Sequence, residues 1–172
     1  MLKGRLVFRE DVKGKGEGRG VMKTKFGTAV RILCIVCLMG TALFLIIFWN
    51  RIPAEVAGHF NGAGEVDGTT GKGGLLFLHV VSWLMFLGIS ALECCPGAWN
   101  VGVHVTRQNK ARVYRNVYHM IACSKLAMVL IFCFMTIWSV NGKNMPVWFT
   151  PVSLIGTFGP MLFFCIRLWR CR

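Results

Sequence analysis

Ile32 to Trp49 runs for 18 residues without a charged side chain, and three more blocks of the chain are nearly as apolar. Gly74–Leu92 holds only His79 among ionisable groups. Val117–Val140 is apolar apart from His119 and Lys125 near its start, and Val147–Ile166 has no charged side chain. A helix needs roughly 20 apolar residues to cross a hydrocarbon core of about 30 Å. A soluble helix keeps a polar face at 3.6-residue spacing, whereas ILCIVCLMGTALFLIIFW is apolar all round. Charged residues make up only 16 % of the chain, against about a quarter in soluble domains. The expected fold is an all-α membrane protein, a four-transmembrane-helix bundle with spans near 32–49, 74–93, 117–140 and 147–166. The lipid bilayer is its first partner.

Lysine and arginine placement orients such a bundle. Residues 1–31 carry Lys3, Arg5, Arg9, Lys13, Lys15, Arg19, Lys23, Lys25 and Arg31. The segment 97–125 carries Arg107, Lys110, Arg112, Arg115 and Lys125, and the tail carries Arg167, Arg170 and Arg172. Only Arg51, Lys72 and Lys143 lie elsewhere. Both termini and the middle loop are therefore expected on the cytoplasmic side, with loop 50–73 extracytoplasmic. The net charge of +13 then reads as a topology signal and as attraction to anionic headgroups. No nucleic-acid partner is expected, because the basic residues are split among segments that flank spans and no recognition motif joins them.

The basic stretch KGKGEGRG at 13–20 cannot bury a core. Residues 1–27 are read as a disordered basic tail and 28–172 as the four-helix domain. The tail is not a signal peptide, since its charged region is too long and the apolar block beyond it is long enough to span. Its codons can be purine-rich, like a ribosome-binding site, so Met22 is a second candidate start. The intact mass of the natively expressed protein decides between the two starts.

None of the eight cysteines falls in the outward loops, so a disulfide framework is not expected. Cys34-Ile-Val-Cys37 has CxxC spacing but lies inside a span with no second pair, which reads as helix packing rather than zinc or thioredoxin chemistry.

Loop 50–73 is the most unusual polar segment. Its core HFNGAGEVDG spans 59–68 and runs into GTTGKGG. A calcium loop needs regularly spaced oxygen ligands, and Ala63 occupies one of those positions. A dinucleotide fingerprint needs a third glycine where Asp67 stands, and a P-loop needs Ser or Thr where Gly73 stands. Turn chemistry fits better: Asn61 and Asp67 each precede a glycine, Pro53 stops the first span and Trp49 anchors it in the headgroup layer. A histidine with carboxylates in reach also fits a ligand site or a proton-sensitive switch.

The run IPAEVAGHFNGAGEVDGTTGK resembles the motif of a bacterial membrane domain of unknown function, roughly P-x-x-I-P-x-H-F-N-x-x-G-x-x-D-x-x-G-s-K. That domain also forms the N-terminal part of SdpI-type immunity proteins. The matching residues are Pro53, His59, Phe60, Asn61, Gly64, Asp67, Gly71 and Lys72. Asn109–Tyr114 is similar to a further E-N-x-x-R-x-Y run of short relatives. Two departures stand out. Val56-Ala57-Gly58 replaces the Ile-Pro-x before the histidine, and the arginine and tryptophan that follow the domain in immunity proteins are missing near Gly102–His104. The resemblance implies a small multi-pass protein of the bacterial inner membrane, immunity- or sensor-like, whose recognition loop comprises Pro53, His59, Phe60, Asn61, Gly64, Asp67 and Lys72.

Inside the spans, His79, Glu93 and Lys125 are the candidate intramembrane polar residues, because buried charge in lipid is costly. Glu93 and Lys125 both fall in the cytoplasmic third of neighbouring antiparallel helices. They either snorkel separately or pair with each other. His79 reads as a hydrogen-bonded packing residue or a proton relay. Pro151, Gly156, Gly159 and Pro160 predict kinks and close approach in the fourth span. No nucleophile–base pair or full metal set converges, so no enzyme, cofactor or metal is expected. The leading expectation is a recognition protein that meets an extracellular peptide through its outer loop and a cytoplasmic regulator through 96–116. The alternative is a subunit of a small transporter or channel, which would be oligomeric.

Overall fold

The structure is a computed structural model, and it describes residues 24–170. The basic tail and the candidate start at Met22 lie outside the described residues. Four helices dominate: α1 (Lys25–Phe48), α2 (Gly73–Glu93), α3 (Lys110–Ser139) and α4 (Phe149–Trp169). Each is long and apolar enough to cross a membrane. Their 24, 21, 30 and 21 residues correspond to about 30–45 Å at 1.5 Å per residue.

Helix α1 begins before its charge-free block because Thr24 caps it, its Oγ1 accepting from Gly27 N at 3.0 Å. Its buried residues are Gly27, Val30, Cys34, Leu38, Thr41 and Leu45. They recur every three or four positions and form one stripe. That stripe packs on α3, and α2 and α4 pack on α3 as well, while α1 and α2 touch each other far less. Helix α3 is therefore the hub. Val30, Cys34 and Leu38 of α1 join Phe86 of α2 and Ala122, Val129 and Cys133 of α3 in the central core. Small residues let the backbones approach, as in other membrane bundles. A Cβ on Gly27 would overlap the Tyr118 ring.

The outer faces are apolar too. Ile46, Phe77, Ile155 and Leu162 are all more than 60 % exposed. So much contiguous apolar surface is incompatible with water and suits lipid. Helix α4 is the least buried, with only Phe164 and Leu168 covered. It runs on through Pro160, where the missing N–H removes one rung of the ladder.

The all-α expectation requires one correction. The segment between α1 and α2 is a β-hairpin, β1 (Glu55–Phe60) and β2 (Val66–Gly71), rather than a set of turns. The strands pair antiparallel, from Glu55–Gly71 to Phe60–Val66. The ladder is irregular on both sides of His59. Gly58 is the extra residue on β1, and Asp67 is the extra residue on β2, so the two offsets cancel by Phe60–Val66. Glycine and bulges obscure the period-two alternation that marks a strand in sequence. Leu45, Ile52, Val56 and Leu75 form a second core that seats the hairpin on the ends of α1 and α2.

Candidate functional site

The hairpin tip is built by Asn61. Its Oδ1 accepts from Ala63 N at 2.9 Å and from Glu65 N at 3.0 Å, and its Nδ2 donates to Glu65 Oε2 at 2.9 Å. Gly64 N closes the turn on Asn61 O at 2.9 Å. Gly64 has φ +83°, a conformation that favours glycine, and it lies against Met145. Asn61 and Gly64 are thus a turn-building pair three residues apart, a self-contained backbone motif.

The tip does not stand free. Met145 N donates to Gly64 O at 2.6 Å, and Val66 N donates to Asn144 Oδ1 at 2.9 Å. Trp138 Nε1 donates to Asn144 O at 3.2 Å. These bonds lock the hairpin to the α3–α4 loop, so the two connections form one cap over that end of the bundle. Nothing in the sequence marks Asn144, because it lies 78 positions from Val66 and no local pattern joins them.

On this cap His59 Nδ1 meets Asp67 Oδ1 at 2.5 Å across the hairpin. Their side chains are 72 % and 44 % exposed. The Gly58 bulge explains the display: Val56 and Ala57 are buried in succession, after which His59 points outward. Phe60 is half-buried opposite Val66. Pro53 is exposed between α1 and β1. Lys72 lies elsewhere. Its N–H closes the hairpin base on Ala54 O at 3.0 Å, and its ammonium sits 4.9 Å from the Trp49 ring centroid.

The polar residues within the long apolar helices form two separate groups. Lys125 Nζ lies 2.6 Å from Glu93 Oε2, with side chains 0 % and 1 % exposed. Lys125 also donates to Ser90 Oγ at 3.3 Å and lies 5.5 Å from the Phe86 centroid. Arg31 Nη2 reaches the same Glu93 oxygen at 3.4 Å. The trio of two cations and one carboxylate links α1, α2 and α3. Glu93 and Lys125 stand out in the sequence as charges within spans, whereas Arg31 sits among the N-terminal basic residues and only the fold brings it to them. His79 lies on the hairpin side of α2 and accepts from Trp83 Nε1 at 3.1 Å.

Helix α3 starts before the membrane-crossing block, and its first turns carry Lys110, Arg112 and Arg115. Beside them the α2–α3 connection encloses a depression of about 770 Å³ lined in part by Asn100, His104, Gln108 and Arg112. Among the described residues no group of three or more His, Cys, Asp or Glu is arranged to hold a metal ion.

A comparison with protein families matches residues 35–82 to a domain of unknown function, DUF1648. The match runs from α1 through the hairpin to Ser82 of α2, and so takes in His59, Asp67, Lys72 and His79. It stops short of Glu93, Lys125 and Asn144. No curated protein and no solved structure matches the chain.

Proposed function

We propose that this is a non-enzymatic, multi-pass protein of the bacterial inner membrane whose hairpin cap recognises a peptide ligand, in an immunity- or sensor-like role. The cap faces outward in this reading, on the side opposite to the basic segments. The observation that carries the reading is the exposed His59–Asp67 pair on a cap whose tip is built by Asn61 and Gly64 and anchored through Val66 to Asn144. An exposed polar pair of this kind adds only about 0–1 kcal/mol to stability, so the fold has little use for it. A fixed hairpin edge that displays an imidazole and a carboxylate suits capture of polar peptide groups at little ordering cost. The immunity element rests on the resemblance of the hairpin motif to the domain found in SdpI-type proteins.

The test is protection of cells that express the protein against a panel of secreted antimicrobial peptides. His59→Ala with Asp67→Ala should lower protection against the responding peptide roughly tenfold, equivalent to about 1.4 kcal/mol of binding, at unchanged protein level. Full protection by the double variant would exclude the pair from recognition.

The buried Glu93–Lys125 pair, with the part-exposed Arg31 beside it, favours a second reading, a transporter or channel subunit, because ionisable groups inside a membrane often line ion paths. Solute flux in proteoliposomes that changes with Lys125→Ala would favour it.

A further inference from the structure

At the end of the bundle opposite the hairpin, residues 94–109 join α2 to α3. Trp99, Val101, Val103 and Val105 pack against Val113 and Val117 of α3. Burial alternates along this segment, which leaves Asn100, Gly102 and His104 exposed. Thr106 and Asn109 then bond reciprocally. Thr106 N donates to Asn109 Oδ1 at 2.8 Å, and Asn109 N donates to Thr106 Oγ1 at 3.2 Å. This is a capping box, with asparagine in the place of the usual glutamate. Asn109 is buried, and its Nδ2 donates to His104 O at 3.0 Å. The buried amide thereby pins the segment that carries His104 beside the helical turn that carries Arg112.

Between them lies the depression of about 770 Å³, within the roughly 300–1,000 Å³ of small-molecule sites. Its polar lining is the His104 imidazole, the Arg112 guanidinium, the Asn100, Gln108 and Asn109 amides and the Thr106 hydroxyl, with no carboxylate. The cations around it lack partners too. Arg107, Lys110, Arg112 and Arg115 form no ion pair among the described residues. The chain contains no Asp or Glu after Glu93, and Glu93 is itself buried against Lys125. The hairpin end, by contrast, holds Glu55, Glu65 and Asp67 beside Arg51, Lys72 and Lys143. Membrane topology asks for cations on one side, but not for a polar hollow among them.

We infer that this depression binds the phosphate group of a small anionic ligand. The planar fork of Arg112 holds two phosphate oxygens, His104 donates a further hydrogen bond, and the Asn100 and Gln108 amides contact the body of the ligand. Arg107 and Lys110 draw it in. Two sources carry such a group, a soluble phosphorylated molecule and a phospholipid headgroup of the adjacent leaflet.

The experiment has two arms, both on the full chain. Inorganic pyrophosphate is titrated calorimetrically into the protein in phosphatidylcholine nanodiscs, at an ionic strength of about 0.15 M, where charges beyond about 8 Å are screened. Native mass spectrometry then follows release from nanodiscs of mixed phosphatidic acid and phosphatidylcholine. The wild type should bind one pyrophosphate, retain one phosphatidic acid, or both. Pyrophosphate binding alone assigns the site to soluble ligands, and retained phosphatidic acid assigns it to headgroups. His104→Gln with Arg112→Gln should weaken whichever is seen roughly tenfold or more. Lys25→Gln, a cation at the same end but outside the depression, should leave it unchanged. Both lining side chains are exposed, so the double variant should fold, as gel filtration checks. Should it not, Arg112→Lys, which keeps the charge and loses the fork, takes its place and should also weaken binding. Neither ligand bound by the wild type, undiminished binding by the folded variant, or an equal loss in Lys25→Gln overturns the inference.

Discussion

Lys125 is fully covered and Glu93 nearly so, at a depth where an unpaired charge is costly. Their contact at 2.6 Å resolves the choice between snorkelling and pairing. Both side chains turn inward to each other. Removing one partner of a buried pair leaves the other charge stranded, which costs about 3–5 kcal/mol, whereas replacing both with apolar groups is often neutral. Glu93→Gln and Lys125→Met should therefore each lower the melting temperature of detergent-solubilised protein more than the double variant does. Additive losses would show that the pair is not coupled. Arg31 complicates the cycle in a useful way. Its guanidinium reaches the same oxygen, so Lys125→Met, which leaves Glu93 a cation, should be milder than Glu93→Gln, which leaves the fully covered Lys125 with no carboxylate.

At the scale of elements, the hairpin is where sequence and structure part. Asn61, Gly64, His59 and Asp67 were legible as a motif, and their turn chemistry follows from residue types alone. The strands were not legible. Gly58 and Asp67 interrupt the pairing, and Gly68 and Gly71 stand where β-branched residues would normally mark β2. Nor was the anchor, since Asn144 meets Val66 only through the fold. Asn144→Ala should leave Val66 N–H without its acceptor and loosen the cap by about 1 kcal/mol. Hydrogen exchange at Gly64, Val66 and Met145 should quicken several-fold while the helices keep their protection. Unchanged exchange would mean that the hairpin holds its shape without the α3–α4 loop.

For the whole molecule, the four helices were the most legible feature, because lipid requires unbroken apolar runs and nothing else in the chain imitates them. Their arrangement was less so: α3 as the hub depends on which faces carry small residues such as Gly27, Cys34 and Ala122, and an apolar face toward lipid looks in sequence like one toward protein. The central claim is that the hairpin and the α3–α4 loop share one side of a membrane that the chain crosses four times, with the α2–α3 connection on the other. Its most direct test is labelling by a membrane-impermeant maleimide of single cysteines placed in a background where the eight native ones are replaced. Thr69→Cys and Lys143→Cys should react in intact cells, and Arg107→Cys only after permeabilisation. Reaction of Arg107→Cys from the same side as Thr69→Cys would contradict the account.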